Sequence, residues 1–311
     1  MLESTALLLV GYNRPELLFK RISEIAVMNL DHIYISIDGG NESHSKEMLE
    51  LIDAAQSLLS KSKTLRITHH EKNLGMTKHI TESITKVLDS HDSVAVVEDD
   101  IQLNRYFFRN IRNGLNILVD RKELGTVSAF SPLNFKGGRI FRNTWRSTPY
   151  FYCWGWGCTK ESWEKYRIEI NESDLATSLS NSNSWDRLSD YQKNYWLSKF
   201  NRVKIDSEFT WDYQMQYISF KYNYLNLVPK YRFINNEGFN DIRAVHTKGN
   251  KPFLLRDHAR NFQIIEKDTN KLLNYLLQKL DSYLIVRDSH ISQIFEETKR
   301  FIRNAFKKVA A

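Results

Sequence analysis

Ser93–Leu103 reads SVAVVEDDIQL: four apolar residues, Val94 to Val97, run straight into Glu98, Asp99 and Asp100 before apolar character returns at Ile101. A run this short and this rich in β-branched residues has the signature of a buried strand. Three adjacent carboxylates at its end raise one another's pKa and are costly unless a positive group lies among them. The reading therefore expects a cation at the end of this strand. Strand alternation sends Glu98 and Asp100 to one side and Asp99 to the other.

Working back towards the N-terminus, strand and helix alternate. TALLLVGY, HIYISID and TLRITHH have the pattern of buried strands, and NRPELLFKRISEIAVM, SHSKEMLELIDAAQSLLSKS and MTKHITESITKVLDS that of helices. With SVAVVEDD as the fourth strand, this is a β-α-β-α-β-α-β series, which predicts a parallel sheet covered by helices on both faces. Ligands of such sheets bind outside the carboxyl ends of the strands. The unusual polar residues fall there: Asn13 and Arg14 after the first strand, Asp38 after the second, Asn73 after the third, and the acidic trio after the fourth. No G-x-G-x-x-G follows the first strand and no G-x-x-x-x-G-K-[ST] occurs, which argues against a dinucleotide dehydrogenase and a P-loop NTPase.

The second half is less regular and richer in aromatics. RYFFRNIRNGLNILVD reads as a helix, GTVSAFSPL as a strand, and PYFYCWGWGCTKESWEKY as a strand leading through a glycine-broken loop into a helix. A polar connection from Asn171 to about Ser184 precedes a helical stretch containing EFTWDYQMQYISFKY. NYLNLVP reads as a strand, NNEGFNDIRAVHT as an irregular loop, and the chain from Asn261 onward as mainly helical. The two cysteines, Cys153 and Cys158, support neither a disulfide framework nor a zinc site, and are read as reduced thiols.

The 311-residue chain has a formal charge of +7, but its basic residues are spread along it and no nucleic-acid-binding module is recognisable, so nucleic acid is not an expected partner. Basic charge is concentrated in KRFIRNAFKKVAA (Lys299–Ala311), where Phe301, Ile302, Ala305, Phe306 and Val309 recur at helical spacing. That is the pattern of a basic amphipathic helix lying on an anionic membrane surface. No apolar segment approaches the roughly 20 residues needed to span a bilayer. The start, MLESTALLLVGYNRP, carries an acidic residue where a signal peptide carries a basic one. The expectation is a cytoplasmic protein, peripheral at the inner face of the cell membrane.

Hard carboxylate oxygens at the exposed end of a strand suit Mg²⁺ or Mn²⁺, which takes one or two protein carboxylates when a phosphate supplies the rest. A divalent ion holding a diphosphate would offset the trio. VVEDD after the fourth strand resembles the D-x-D element of GT-A fold glycosyltransferases. The EDD spelling, followed by a helix with two phenylalanines, is similar to the N-acetylglucosaminyltransferase I family. GTVSAFS, WGWGCTKESW and WDYQM occur in the order of that family's blocks, and bacterial surface-polysaccharide transferases share the general pattern. The resemblance covers roughly residues 5 to 250.

It implies an α/β GT-A fold, a Rossmann-like, mostly parallel sheet flanked by helices. The glycosyltransferase domain would span residues 1–250, with a nucleotide-sugar half (1–103) and an acceptor half (104–250), and a C-terminal helical extension would span 251–311. It gives Asp100 the metal, Asp99 a donor ribose hydroxyl and Glu98 a hydroxyl of the donor sugar. Arg14 and Asp38 would contact base or ribose, Asn73 would lie beside the donor, and Lys78 would reach a phosphate. An inverting transfer needs a carboxylate on the acceptor side to take the proton, and Asp212 in TWDYQM stands where the family has its base, with one Asp after the Trp where the relatives have two. Trp154 and Trp156 offer flat faces to an acceptor sugar. His246 is a second candidate metal ligand. The implied activity is metal-dependent inverting transfer from a nucleotide-diphosphate sugar, UDP-linked by resemblance, to a glycan acceptor, lipid-linked if the basic tail holds the enzyme at the membrane. A nucleotidyltransferase that makes nucleotide-sugars is an alternative, but lacks here its glycine-rich basic loop after the first strand. A non-catalytic glycan-binding protein on the same fold is the other.

Overall fold

Every residue of the first strand, β1 (Thr5–Gly11), is buried, because both faces of the sheet around it are covered. The computed structural model describes residues 2, 4–40, 42–132, 144–239, 241, 243, 264, 266–267 and 271–286. After β1 come α1 (Pro15–Ala26), β2 (His32–Ile37), α2 (Glu42–Leu58), β3 (Thr64–His69), α3 (Met76–Leu88) and β4 (Ser93–Glu98). This is the alternation expected from the sequence. The strands pair in parallel in the order β4-β1-β2-β3. Pro15 opens α1, where its missing N–H costs nothing.

The second half is built from β5 (Ile101–Leu103), α4 (Phe107–Asp120), β6 (Leu124–Ser128), β7 (Thr144–Thr148), β8 (Trp156–Thr159) and the short α5 (Lys160–Trp163). It continues through α6 (Leu175–Leu179), α7 (Asn183–Asp186), α8 (Asp190–Ile205), α9 (Asp212–Lys221), β9 (Leu225–Pro229), β10 (Ile234–Asn236), β11 (Glu266–Lys267) and α10 (Lys271–Val286). β8 runs antiparallel between β4 and β6, and β9, β7 and β11 complete a mixed nine-stranded sheet. β5 and β10 pair antiparallel as a separate ribbon.

Alternation along β1 divides the core. Leu7 and Leu9 pack with α1, α2 and α4, while Ala6, Leu8 and Val10 pack with α3, α5 and α9. A third, aromatic cluster joins α6 to α9 through Trp185, Trp196, Phe200, Tyr217 and Phe220. The fully buried Arg146 ties β7 to α10 through Asp281, with one contact of 2.8 Å. The connection around Asn171 to Ser184 therefore holds helical turns, α6 and the start of α7, capped by Asp174 and Ser182.

Two expectations are corrected here. The strand expected at PYFYC lies earlier, at β7, and only the first half of WGWG is loop: Trp154 and Gly155 form a bend, while Trp156 and Gly157 belong to β8, the strand inserted against β4. A Cβ on Gly157 would sit 2.8 Å from the Val94 carbonyl oxygen, and Gly155 has φ +59°. These glycines serve the close approach of two strands and the turn into them. Both cysteines are free thiols. His246 and the basic segment Lys299–Ala311 lie outside the described residues. Among those residues no helix is long and apolar enough to cross a membrane.

Candidate functional site

In the parallel half of the sheet, strand order reverses between β1 and β4: the chain proceeds from β1 outward to β2 and β3, then returns to β1's other side. The carboxyl ends of strands at such a switch point diverge and leave a crevice. A cavity of about 800 Å³ opens there. Arg14, Asp38, Asn73, Glu98, Asp99, Asp100, Trp154 and Asp212 all line it. Residues from four strand ends, from the bend before β8 and from α9, up to 198 positions apart in sequence, thus meet around one space.

The positive group that the acidic trio requires is Arg14. Its guanidinium bonds Asp99 and reaches Asp100 at 3.2 Å. β4 ends at Glu98, so Asp99 and Asp100 lie in the turn before β5, and the expected alternation does not hold there: both aspartates face the same guanidinium. The turn is fixed from behind. Glu237 N–H donates to the Asp100 carbonyl at 2.7 Å, and the fully buried Arg21 pairs Glu237 at 3.1 Å and Glu24 at 3.0 Å. Glu24 in turn accepts from Leu103 N–H at 2.8 Å. Nε and one terminal nitrogen of Arg21 have no hydrogen-bond partner among the described residues.

Asp38 is held by its own turn, accepting from Gly39 N–H at 2.9 Å and Leu74 N–H at 2.8 Å. Asn73 accepts from Gly75 N–H at 2.8 Å, an Asx-type bond that shapes the entry to α3. Lys78 is not brought to the cavity. The helical phase of α3 turns Met76, His79 and Ile80 inward, and Lys78 is half-exposed with its ammonium 3.9 Å from Glu82.

Asp212 begins α9, with the Thr210 hydroxyl donating to its carboxylate. It raises the pKa of Glu98 across the cavity. Trp154 is half-buried, wedged edge-on against Phe130 and Phe239 at 4.7 and 5.9 Å. Trp156 is a correction: it is completely buried, stacked on Trp211 at 5.4 Å and edge-on to Phe151 at 5.0 Å. In strand β8 its side chain points into the core, so it has no face to offer a sugar.

Sequence reasoning missed several wall residues. His79 bonds the Ser36 hydroxyl at 2.8 Å, and burial lowers its pKa to about 4. Arg243 bonds the Asn13 carbonyl oxygen at 3.2 Å and pairs Glu16 and Asp241. Phe209 and Tyr213 flank Asp212. Only His79 left a sequence signal, lying three residues from Met76 on the same helical face.

The acidic turn is unfavourable for three charged carboxylates. Burial, then repulsion from Asp100 and Asp99, drives Glu98 well upward in pKa. Burial pushes Asp99 to about 6 against the pull of Arg14, and Asp100 is also raised by burial. These carboxylates hold less positive charge than they can use. Among the described residues no three His, Cys, Asp or Glu side chains form a complete metal cage. No family model matches the chain, and no curated protein does.

Proposed function

We propose that the protein is a metal-dependent, inverting glycosyltransferase of GT-A type that moves a sugar from a nucleotide-diphosphate sugar to a glycan acceptor. The observation that carries the reading is the meeting, at one switch-point cavity, of Arg14, Asp38 and the Glu98–Asp100 turn with a separate carboxylate, Asp212, on the opposite wall. Six carboxylates line this crevice against two guanidiniums, Arg14 and Arg243, and that excess of negative charge repels a diphosphate unless a further cation joins them. The acidic turn, with Asp100 foremost, would hold that ion. When bound, it would neutralise charge developing on the leaving diphosphate.

The chain's own groups divide the remaining work. Asp38 and Arg14 face the nucleoside portion, and Glu98 and Asp99 the sugar and ribose hydroxyls. Asp212 accepts the proton of the attacking hydroxyl, oriented by the Thr210 hydroxyl. The half-buried Trp154 and the aromatic wall limit water at the anomeric carbon. A UDP-sugar donor and a lipid-linked bacterial surface glycan as acceptor are the forms we favour, from the family resemblance and from the basic pattern of Lys299–Ala311.

The test is a thermal-shift titration with UDP, with and without Mn²⁺, since a ligand that binds the native state stabilises it according to its concentration and affinity. The expected result is a shift that requires both components and is lost in Asp100→Asn. A UDP shift that is indifferent to Mn²⁺ and to that substitution would remove the metal from the reading, and no shift with any nucleoside diphosphate would remove the reading itself.

A further inference from the structure

Behind the acidic turn lies a charged cluster that takes no part in lining the cavity. Arg21 is fully buried, and a single terminal nitrogen, Nη2, serves both Glu24 at 3.0 Å and Glu237 at 3.1 Å. Its Nε and its other terminal nitrogen find no hydrogen-bond partner among the described residues. None of the three side chains lines the cavity. A buried guanidinium that leaves donors unused is expensive. Replacing a buried ionic cluster by uncharged groups of like volume often leaves a protein as stable as before, or more so. Stability therefore does not account for this cluster.

Its placement does. Arg14 stands at the N-terminus of α1, and Arg21 follows seven residues later, about two turns along the same side of the helix. The first arginine holds the carboxylates of Asp99 and Asp100 from the cavity. The second reaches the same turn through its backbone: Glu24 accepts from Leu103 N–H at 2.8 Å, and Glu237 N–H donates to the Asp100 carbonyl at 2.7 Å. Asn236, beside Glu237, pairs with Ile101 in the β5–β10 ribbon. One helix thus grips the acidic turn from both sides.

Glu237 carries the grip further along the chain. Two residues on, Phe239 packs edge-on against Trp154 at 5.9 Å. Arg243 pairs Asp241 at 3.0 Å and donates to the Asn13 carbonyl at 3.2 Å, at the mouth of the same cavity. The place of Glu237 therefore bears on the acidic turn, on Trp154 and on Arg243 together. We propose that Arg21 is a positioning residue for the cavity: through Glu24 and Glu237 it holds the acidic turn and the segment after β10 in the register that binds ligand, at no gain in stability. The ligand named in the test, a nucleoside diphosphate, rests on the reading of the cavity as a transferase site; the clamp itself does not.

The test removes the charge of the cluster from the full-length protein in the triple variant Arg21→Met/Glu24→Gln/Glu237→Gln, whose uncharged side chains keep similar volumes. Three quantities are read: the melting temperature, hydrogen–deuterium exchange at the Leu103 and Glu237 amides, and affinity for UDP in the presence of Mn²⁺ by calorimetry. The expected result is a melting temperature at or above that of wild type, faster exchange at both amides, and UDP bound about tenfold more weakly, the low end of the loss when support behind a ligand-binding group is removed. A variant that folds but melts far below wild type overturns the proposal, since the cluster would then be a structural brace. Unchanged exchange overturns it too, as does faster exchange with UDP affinity untouched. Should the triple variant not fold, Glu237→Gln, at a half-buried position, is read in its place, and no change in exchange or affinity there overturns the proposal. Wild-type protein that binds no UDP sinks the transferase reading and leaves the clamp to be decided by exchange; a variant that matches wild type in exchange and in UDP binding sinks the clamp and spares that reading.

Discussion

Replacing Arg14 by Gln removes the charge that Asp99 and Asp100 share and leaves an uncharged amide on a shorter side chain. Exposed ion pairs contribute about 0.2–1 kcal/mol, and stripping one partner from a buried pair costs about 3–5 kcal/mol. The side chains of Arg14 and Asp99 are 14% and 4% exposed, and that of Asp100 11%, so the loss belongs near the buried end. Cavity water softens it, and about 3 kcal/mol at neutral pH is expected. For a chain of this size that is a fall of about 1 M in the urea midpoint, readable by tryptophan fluorescence. Mn²⁺ should return the variant most of the way while stabilising wild type less, because it re-supplies the missing charge to the same carboxylates. A midpoint within about 0.3 M of wild type would refute the claim that Arg14 compensates the acidic turn. A full loss that Mn²⁺ does not relieve would refute the ion's place there.

Asp212→Asn should leave UDP and Mn²⁺ affinity near wild type while single-turnover transfer slows by roughly two to four orders of magnitude, the range for removal of a general base; an active variant sends the proton elsewhere. His79, beside Asp38 and His70, is lowered from 6.5 to about 4 by burial, so it is neutral in the folded state while the unfolded chain takes up a proton first. Stability should therefore fall as pH drops from about 6.5 towards 4, by about 1.4 kcal/mol per unit and about 3 kcal/mol in all. His79→Gln should flatten that portion of the acid limb in urea unfolding, and an unchanged limb would contradict the assignment. Trp156→Ala should cost about 3–5 kcal/mol as a core truncation, whereas Trp154→Ala should spare the melting temperature and impair sugar binding; a Trp156→Ala variant that melts like wild type, or a Trp154→Ala variant that melts as low as Trp156→Ala, would refute this division.

Much of the architecture was legible because it depends on local periodicity. The apolar runs of β1, β2 and β4 and the spacing of α1, α3 and α4 reflect burial on two sheet faces, which any short window of sequence records. The gathering of Arg14, Asp38, Asn73 and the Glu98–Asp100 turn was legible for a related reason: a parallel series places every strand's carboxyl end on one edge. Other features depend on which strand lies beside which. WGWG had a loop's composition, yet inserting β8 between β4 and β6 made its second half a strand, buried Trp156 and gave Gly157 the task of backbone approach. Lys78 and His79 are adjacent in sequence, and only the docking of α3 decided which of them meets the cavity. The partner for the trio was expected to be a metal ion. The side chain already there is Arg14, because β1 and β4 are neighbours, a pairing 88 residues apart for Leu8 and Val96 that no local pattern records. The sequence by itself determined the elements and the edge on which the site lies; tertiary packing decided which charges touch and which aromatic rings remain free, since both depend on contacts between segments remote along the chain.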